Sequence, residues 1–254
     1  MGKNIETENN KRFNTISALI SLNYFVTPII ASIVILSLIK LLNIDIIGIF
    51  LKLGVIKNYI EYIHNKNNDV IAVIFSQVSM ILSLIISVLL AKKRNDSISK
   101  IKTEISKTKL ILLGLALGVF MLITSFCVSM IYTALNLNPT SNNTLNVLNL
   151  LRNNKIMLLL ILVVAPVGEE IAFKYGIFTF FHEIFYDKNK ILKTVIPAII
   201  SAFIFGIIHD GLYLLPTYFI PSFVGCILYE KTKSLLPCIL GHFLANLIAT
   251  LILI

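Results

Sequence analysis

The sequence has few charged residues and few cysteines. Only 14% of its 254 residues are charged, whereas soluble domains carry about a quarter. This scarcity excludes an ordinary soluble globular domain. The three cysteines lie inside apolar stretches without CxxC spacing, which argues against a disulfide framework and a thiolate metal site; they are Cys127, Cys226 and Cys238.

Apolar residues are abundant instead, at 57% of the chain, with a mean hydropathy of +0.88. A helix that crosses a bilayer needs about 20 apolar residues, so this length accommodates about six to eight spans. Residues 16–39, 71–91 and 110–135 carry no charge and predict three of them. We therefore expect an all-α, polytopic transmembrane helical bundle that forms one compact unit.

The net charge of +9 is concentrated in the loop between the second and third spans. This is the positive-inside pattern of a cytoplasmic loop next to anionic lipid, and it is a better explanation than nucleic-acid binding. It predicts a multi-pass protein of a bacterial plasma membrane with a cytoplasmic amino terminus. The loop's basic residues are Lys92, Lys93, Arg94, Lys100, Lys102, Lys107 and Lys109.

The chain divides into two halves at an Asn-rich stretch over residues 136–155. Residues 1–155 hold the first membrane helices, the basic loop and an interfacial or re-entrant segment at 46–56. Residues 156–254 form a membrane core in which prolines interrupt the apolar runs. Ionisable residues appear within these runs, so the second half is predicted to carry the function.

Three sets of polar residues recur four apart in the second half, which places each set on one helix face. They are Glu170 with Lys174, Phe205 with His209, and His242 with Asn246. We expect Glu170 and Lys174 to form a supporting ion pair. Glu169 would share a cavity with His209 and activate a water, while His242 and Asn246 stabilise the oxyanion of a cleaved peptide bond.

Taken singly, each set has a structural interpretation. Glu169, Glu170 and Lys174 follow Pro166 and Gly168 and fit a helix start. His209 before a glycine fits a helix end. His242 and Asn246 fit hydrogen bonds between membrane helices. The three sets together favour a catalytic site.

In this order, Glu169-Glu170 with Lys174, Phe205-x-x-x-His209 and His242-x-x-x-Asn246 resemble the three motifs of the CAAX-protease and bacteriocin-processing family, also called Abi. The resemblance covers residues 156–254. It implies an intramembrane endopeptidase of CAAX or leader-peptide type in which Glu169 and His209 activate water, and His242 and Asn246 form the oxyanion site. Its substrate would be a peptide or membrane protein, with or without a lipid.

The resemblance leaves the cofactor open. Glu169, His209 and His242 would make a carboxylate and two-histidine set for zinc or another divalent metal, but a metal-free glutamate mechanism fits as well and is preferred. One residue departs from the family pattern, because Lys174 stands where the family usually has Arg. Lysine keeps the charge but loses the two-pronged carboxylate contact.

Two other functions remain open. One is a non-catalytic bacteriocin self-immunity or scaffold protein of the same fold, and the other is a proton-coupled transporter that uses the Glu169 and His209 pair as a relay. Counting the helical rise along each run also places His242 about two turns shallower in the membrane than Glu169 and His209. This mismatch is an expectation that a structure tests.

Overall fold

A computed structural model describes residues 2–42, 70–93, 103–153 and 157–253. Within these ranges the chain is helical, and no β-strand occurs among them. The all-α helical bundle predicted from the sequence is confirmed. The predicted interfacial segment at 46–56 and residues 94–102 of the basic loop lie outside the described residues.

Eight helices follow one another along the described chain. The first four are α1 Gly2–Leu42, α2 Val70–Lys92, α3 Lys107–Ala134 and α4 Asn142–Asn153. The next two are α5, over residues 157–184, and α6, Ile191–Asp210. The last two are α7 Leu215–Thr232 and α8 Leu236–Leu253.

Three of these helices contain stretches long and apolar enough to cross a membrane, judged by length and composition: Thr15–Ile35, Lys107–Ala134 and Ile191–Asp210. Shorter apolar stretches occupy Val78–Lys92 and Leu236–Ile252. Much of their apolar surface faces outward; Ile29 in α1 and Phe126 in α3, for example, are more than 60% exposed. A lipid environment accounts for this exposure, so the protein is an integral membrane protein.

Helices α1 and α2 form a pair that buried polar groups hold together. The Asn23 side chain in α1 donates to the Ser83 carbonyl at 2.8 Å and to the Ser87 hydroxyl at 2.7 Å in α2. Ser32 and Ser79 make a further contact at 3.2 Å. Side-chain hydrogen bonds of this kind between apolar helices fix their register, because lipid offers the polar groups no partner.

Helices α3 and α8 approach closely at glycines. A Cβ on Gly118 would lie 2.9 Å from the Gly241 carbonyl oxygen, and a Cβ on Gly241 would lie 3.0 Å from the Gly114 carbonyl oxygen. Small residues spaced four apart allow such contact between membrane helices. Gly241 directly precedes His242, so this contact positions α8 for the site.

Replacing Gly118 by Leu is expected to destabilise the α3 and α8 contact and to lower activity together with stability. Overpacking of this kind costs about 1–3 kcal/mol, and here it displaces the helix that carries His242. Thermal melting of the purified variant measures the effect. Val119→Leu is the matched control, because Val119 is 49% exposed on the same helix and its replacement should leave the melting temperature unchanged. Equal melting of both variants would contradict the close contact.

Candidate active site

Helix α5 is irregular where it carries the first set of polar residues. Short α-helical pieces alternate with π-helical ones at Leu160–Val164 and Ile171–Phe178. Between the two π-helical stretches, the α-helical piece Ala165–Glu170 holds both glutamates. Single π-helical turns inside helices occur frequently at functional sites.

The Glu169 carboxylate lies at the centre of the site. Its Oε2 atom is 3.6 Å from Nε2 of His209 in α6 and 3.7 Å from Nε2 of His242 in α8. The same oxygen is buried and has no hydrogen-bond partner among the described residues. Distances of this size are too long for direct hydrogen bonds, so these polar atoms are open to a water that enters the site. The structure therefore brings Glu169, His209 and His242 together around one carboxylate oxygen.

This contact overturns the expected depth mismatch. His242 was expected about two turns shallower than Glu169, yet the two side chains are 3.7 Å apart. The expectation was wrong because the count assumed straight, parallel helices whose ends near Phe185, Lys193 and Ser234 lie at one depth, and the contact shows that these assumptions do not hold together.

The His209 ring is fixed on several sides. Nδ1 donates to the Phe205 carbonyl at 2.7 Å, as it must, because a carbonyl only accepts. The ring stacks on Tyr218 with centroids 4.6 Å apart and also packs on Phe205 at 4.3 Å. With Nδ1 occupied, Nε2 is the nitrogen that faces Glu169. The Phe205-x-x-x-His209 spacing thus has a direct structural meaning, since Phe205 supplies both the carbonyl and a packing face.

Glu170 links two partners. Its Oε2 atom pairs with Lys174 Nζ at 3.0 Å, as expected from the sequence. Its Oε1 atom lies 3.1 Å from Nδ1 of His242, a contact that the sequence did not predict. A carboxylate that accepts from Nδ1 fixes the tautomer of the imidazole and directs Nε2 towards Glu169.

Lys174 is well accommodated although the family usually has Arg here. Besides Glu170, its ammonium donates to the Ser222 hydroxyl at 3.2 Å and lies 5.1 Å from the centroid of the Phe205 ring. A Cβ on Gly225 would lie 3.2 Å from Lys174 Cε, so this glycine leaves space for the side chain. The lysine is buried at 2% exposure and keeps a working ion pair.

Asn246 makes a different contact from the one expected. Its Nδ2 donates to the Ile161 carbonyl at 3.1 Å, in the π-helical part of α5. In a π-helical register the amide of residue 166 would serve this carbonyl, but residue 166 is proline and has no N–H. Asn246 therefore satisfies a carbonyl that Pro166 leaves without a donor.

A second polar group lies beside the site and was missed by the sequence analysis. Asp210 accepts hydrogen bonds from the Ser141 hydroxyl at 2.5 Å, the Tyr218 hydroxyl at 2.7 Å and the Asn143 amide at 3.1 Å. These bonds hold the start of α4 against the end of α6 and the start of α7. The carboxylate next to His209 in the sequence was the available signal.

The candidate metal set meets around one carboxylate oxygen but does not satisfy a metal geometry. Within residues 2–42, 70–93, 103–153 and 157–253, no group of three His, Cys, Asp or Glu side chains is placed to hold one ion. Nδ1 of His242 and Nδ1 of His209 are engaged by Glu170 and the Phe205 carbonyl, which leaves Nε2 of each ring facing Glu169.

The part of the chain that carries these residues matches a known protein family. The Rce1-like family, described as type II CAAX prenyl endopeptidase Rce1-like, matches residues 152–248. This range includes the three sets of polar residues and excludes α1, α2 and α3. No solved structure matches the chain.

Two bacterial proteins are similar in sequence. The membrane-embedded CAAX protease MroQ of Staphylococcus aureus is 26% identical over 182 residues, which are 69% of this chain and 72% of that protein. A protein named as a membrane peptidase, YdiL of Bacillus subtilis, is 30% identical over 115 residues, or 45% of this chain and 44% of that protein. The similarity to MroQ extends beyond the 97 residues that the family matches.

Proposed function

Residues 152–248 match the Rce1-like CAAX prenyl endopeptidase family, and from this premise we propose that the protein is an intramembrane endopeptidase with a metal-free glutamate mechanism. The observation that carries the proposal is the buried Glu169 Oε2 atom between the two Nε2 atoms of His209 and His242. A carboxylate and two imidazoles, each on a different helix, are suited to bind and activate one water.

In the first step Glu169 acts as the general base. A water donates one hydrogen bond to Glu169 Oε2 and the other to Nε2 of His209, whose Nδ1 is already committed to the Phe205 carbonyl. Glu169 takes the proton as the water oxygen attacks the carbonyl carbon of the peptide bond. His209 orients the water, and the Tyr218 ring beneath it prevents the imidazole from turning.

The second role is stabilisation of the oxyanion. When protonated at both nitrogens, His242 donates from Nε2 to the developing oxygen charge, while Glu170 holds its Nδ1. Lys174 balances the charge of Glu170 at 3.0 Å. Asn246 adds its second N–H. The C–N bond then breaks, and Glu169 returns the proton to the leaving amine.

The proposed substrate is a peptide or a membrane-protein segment that reaches the site from the bilayer or its surface. The family description names prenyl endopeptidases. The proposed substrates therefore include both lipidated and unmodified peptides. Both named relatives come from bacteria, which supports a bacterial plasma membrane. The cytoplasmic amino terminus stays a prediction from the basic loop.

A cleavage assay with a chelator tests the mechanism. Detergent-purified wild type is expected to cleave members of an internally quenched peptide library, and an excess of chelator should leave the rate unchanged because no protein step uses a metal. Mass spectrometry of the products gives the position of cleavage. Loss of activity with chelator, restored by zinc, would contradict the metal-free mechanism while keeping the endopeptidase. Absence of any cleavage would favour the immunity or scaffold alternative.

A further inference from the structure

Helix α1 lies outside the matched region 152–248, yet it contacts the helix that carries Glu169. Phe25 of α1 packs edge-on against Phe173 with ring centroids 5.9 Å apart. A Cβ on Gly176 would lie 2.5 Å from the Ser21 hydroxyl oxygen, so the two helices touch at this glycine. Such close packing brings the α1 side chains within reach of the site.

Tyr24 is the α1 residue that reaches the catalytic carboxylate. Its ring packs edge-on against Phe173 at 5.8 Å. The ring atom Cε2, next to the carbon that bears the hydroxyl, would lie 3.8 Å from a Cβ on Gly168, and Gly168 directly precedes Glu169. The Tyr24 hydroxyl lies close enough to the Glu169 side chain for the two groups to interact electrostatically and to form a hydrogen bond.

Contacts of α1 with α2 and with α5 together fix the position of Tyr24. On one side the neighbouring Asn23 is bonded to Ser83 and Ser87 of α2, which fixes the rotation of α1. On the other side Phe173 and Gly168 of α5 contact the ring. Neighbouring residues on a helix point about 100° apart, so Asn23 faces α2 while Tyr24 faces α5.

We propose that Tyr24 is a positioning residue for the reaction: its hydroxyl donates a hydrogen bond to Glu169 and holds the carboxylate towards His209 and His242. The inference rests on the proposed function and extends the site beyond the three family motifs. The amino-terminal helices then complete the active site and do more than anchor it. A phenol is suited to this task because its rigid ring is held by packing while its hydroxyl donates one bond.

The first test compares Tyr24→Phe with wild type in the quenched-peptide assay. Loss of the hydroxyl should lower kcat about tenfold or more, the size expected for a lost hydrogen bond to a charged group, with KM unchanged. The ring stays, so the melting temperature should not change. Phe25→Leu is the matched control: it removes an aromatic contact with the same Phe173 and should lower stability without a selective loss of kcat.

The second test does not require a substrate. Infrared difference spectra recorded during a pH titration contain a carboxyl band that Glu169→Gln removes. A carboxylate that loses an O–H donor binds a proton more readily, so this band should appear at higher pH in Tyr24→Phe than in wild type. The other ionisable groups facing Glu169 are His209, His242 and Glu170, and they are unchanged in both proteins.

The outcomes separate the two proposals. A shifted infrared band together with a reduced kcat supports the positioning role. An unshifted band and a wild-type kcat in Tyr24→Phe would overturn it, while cleavage by wild type would leave the proposed function intact. If wild type cleaves no peptide, the proposed function fails; an infrared shift would then show only that Tyr24 contacts Glu169, and the positioning role in catalysis would fall as well.

Discussion

Replacing Glu169 by Gln is expected to lower peptide cleavage by a factor of about 10³ or more while the protein remains folded. Glutamine has nearly the shape of glutamate but cannot accept the proton from the water. General-base catalysis contributes about 10²–10⁴ to a rate. A further loss is expected because the neutral amide of glutamine lacks the negative charge that attracts His209 and His242. The measurement is kcat/KM for the best peptide of the library.

The chain offers a matched control on the same helix. Glu183 lies 3.7 Å from Nδ1 of His182, so it forms a glutamate and histidine pair at a distance like that of Glu169 and His242. Glu183 follows Glu169 by fourteen residues in α5, which is about 21 Å along the helix at 1.5 Å per residue. Glu183→Gln should therefore keep wild-type activity. A comparable loss in both variants would show that the effect of Glu169→Gln is structural and would contradict its role as base.

The second large effect is expected at Glu170. Its two oxygens serve Lys174 and His242, whereas glutamine has one acceptor oxygen and an NH₂ group that would face a cation or an N–H donor. Removing one partner of a buried ion pair costs about 3–5 kcal/mol. Glu170→Gln should thus lower the melting temperature of the purified protein and, by releasing His242, its cleavage rate.

A double variant distinguishes two effects of Glu170: neutralising the buried charge of Lys174 and orienting the His242 ring. In Glu170→Gln with Lys174→Met the unpaired charge is gone, so most of the stability should return while the cleavage rate stays low. Lys174→Arg should remain active, because the family usually has arginine at this position. If the double variant recovers both stability and activity, Glu170 acts through Lys174 alone and its contact with His242 has no catalytic importance.

The sequence was sufficient for the helical bundle and for the choice of polar residues. Ionisable side chains in apolar helices are costly, so Glu169, His209 and His242 could be selected without a structure. The ion pair of Glu170 and Lys174 follows from the four-residue spacing alone. Their catalytic roles stay predictions until the variants are measured.

Other features of the site could not be read from spacing, because they depend on how different helices meet. The packing of α5 against α8 decides which residue accepts a hydrogen bond from Nδ1 of His242. The hydrogen bond from Asn246 to the Ile161 carbonyl depends on a π-helical register just before Pro166, and no local sequence pattern indicates this register. Tyr24 carried no signal either, because a single tyrosine in an apolar helix usually serves packing.

The role of Glu169 as general base is tested by mass spectrometry of the products of one peptide library incubated with wild type and with Glu169→Gln. Wild type is expected to give defined fragments, with one cleaved bond per substrate, and the variant is expected to give none. Identical fragments from both proteins would contradict Glu169 as the base that activates water.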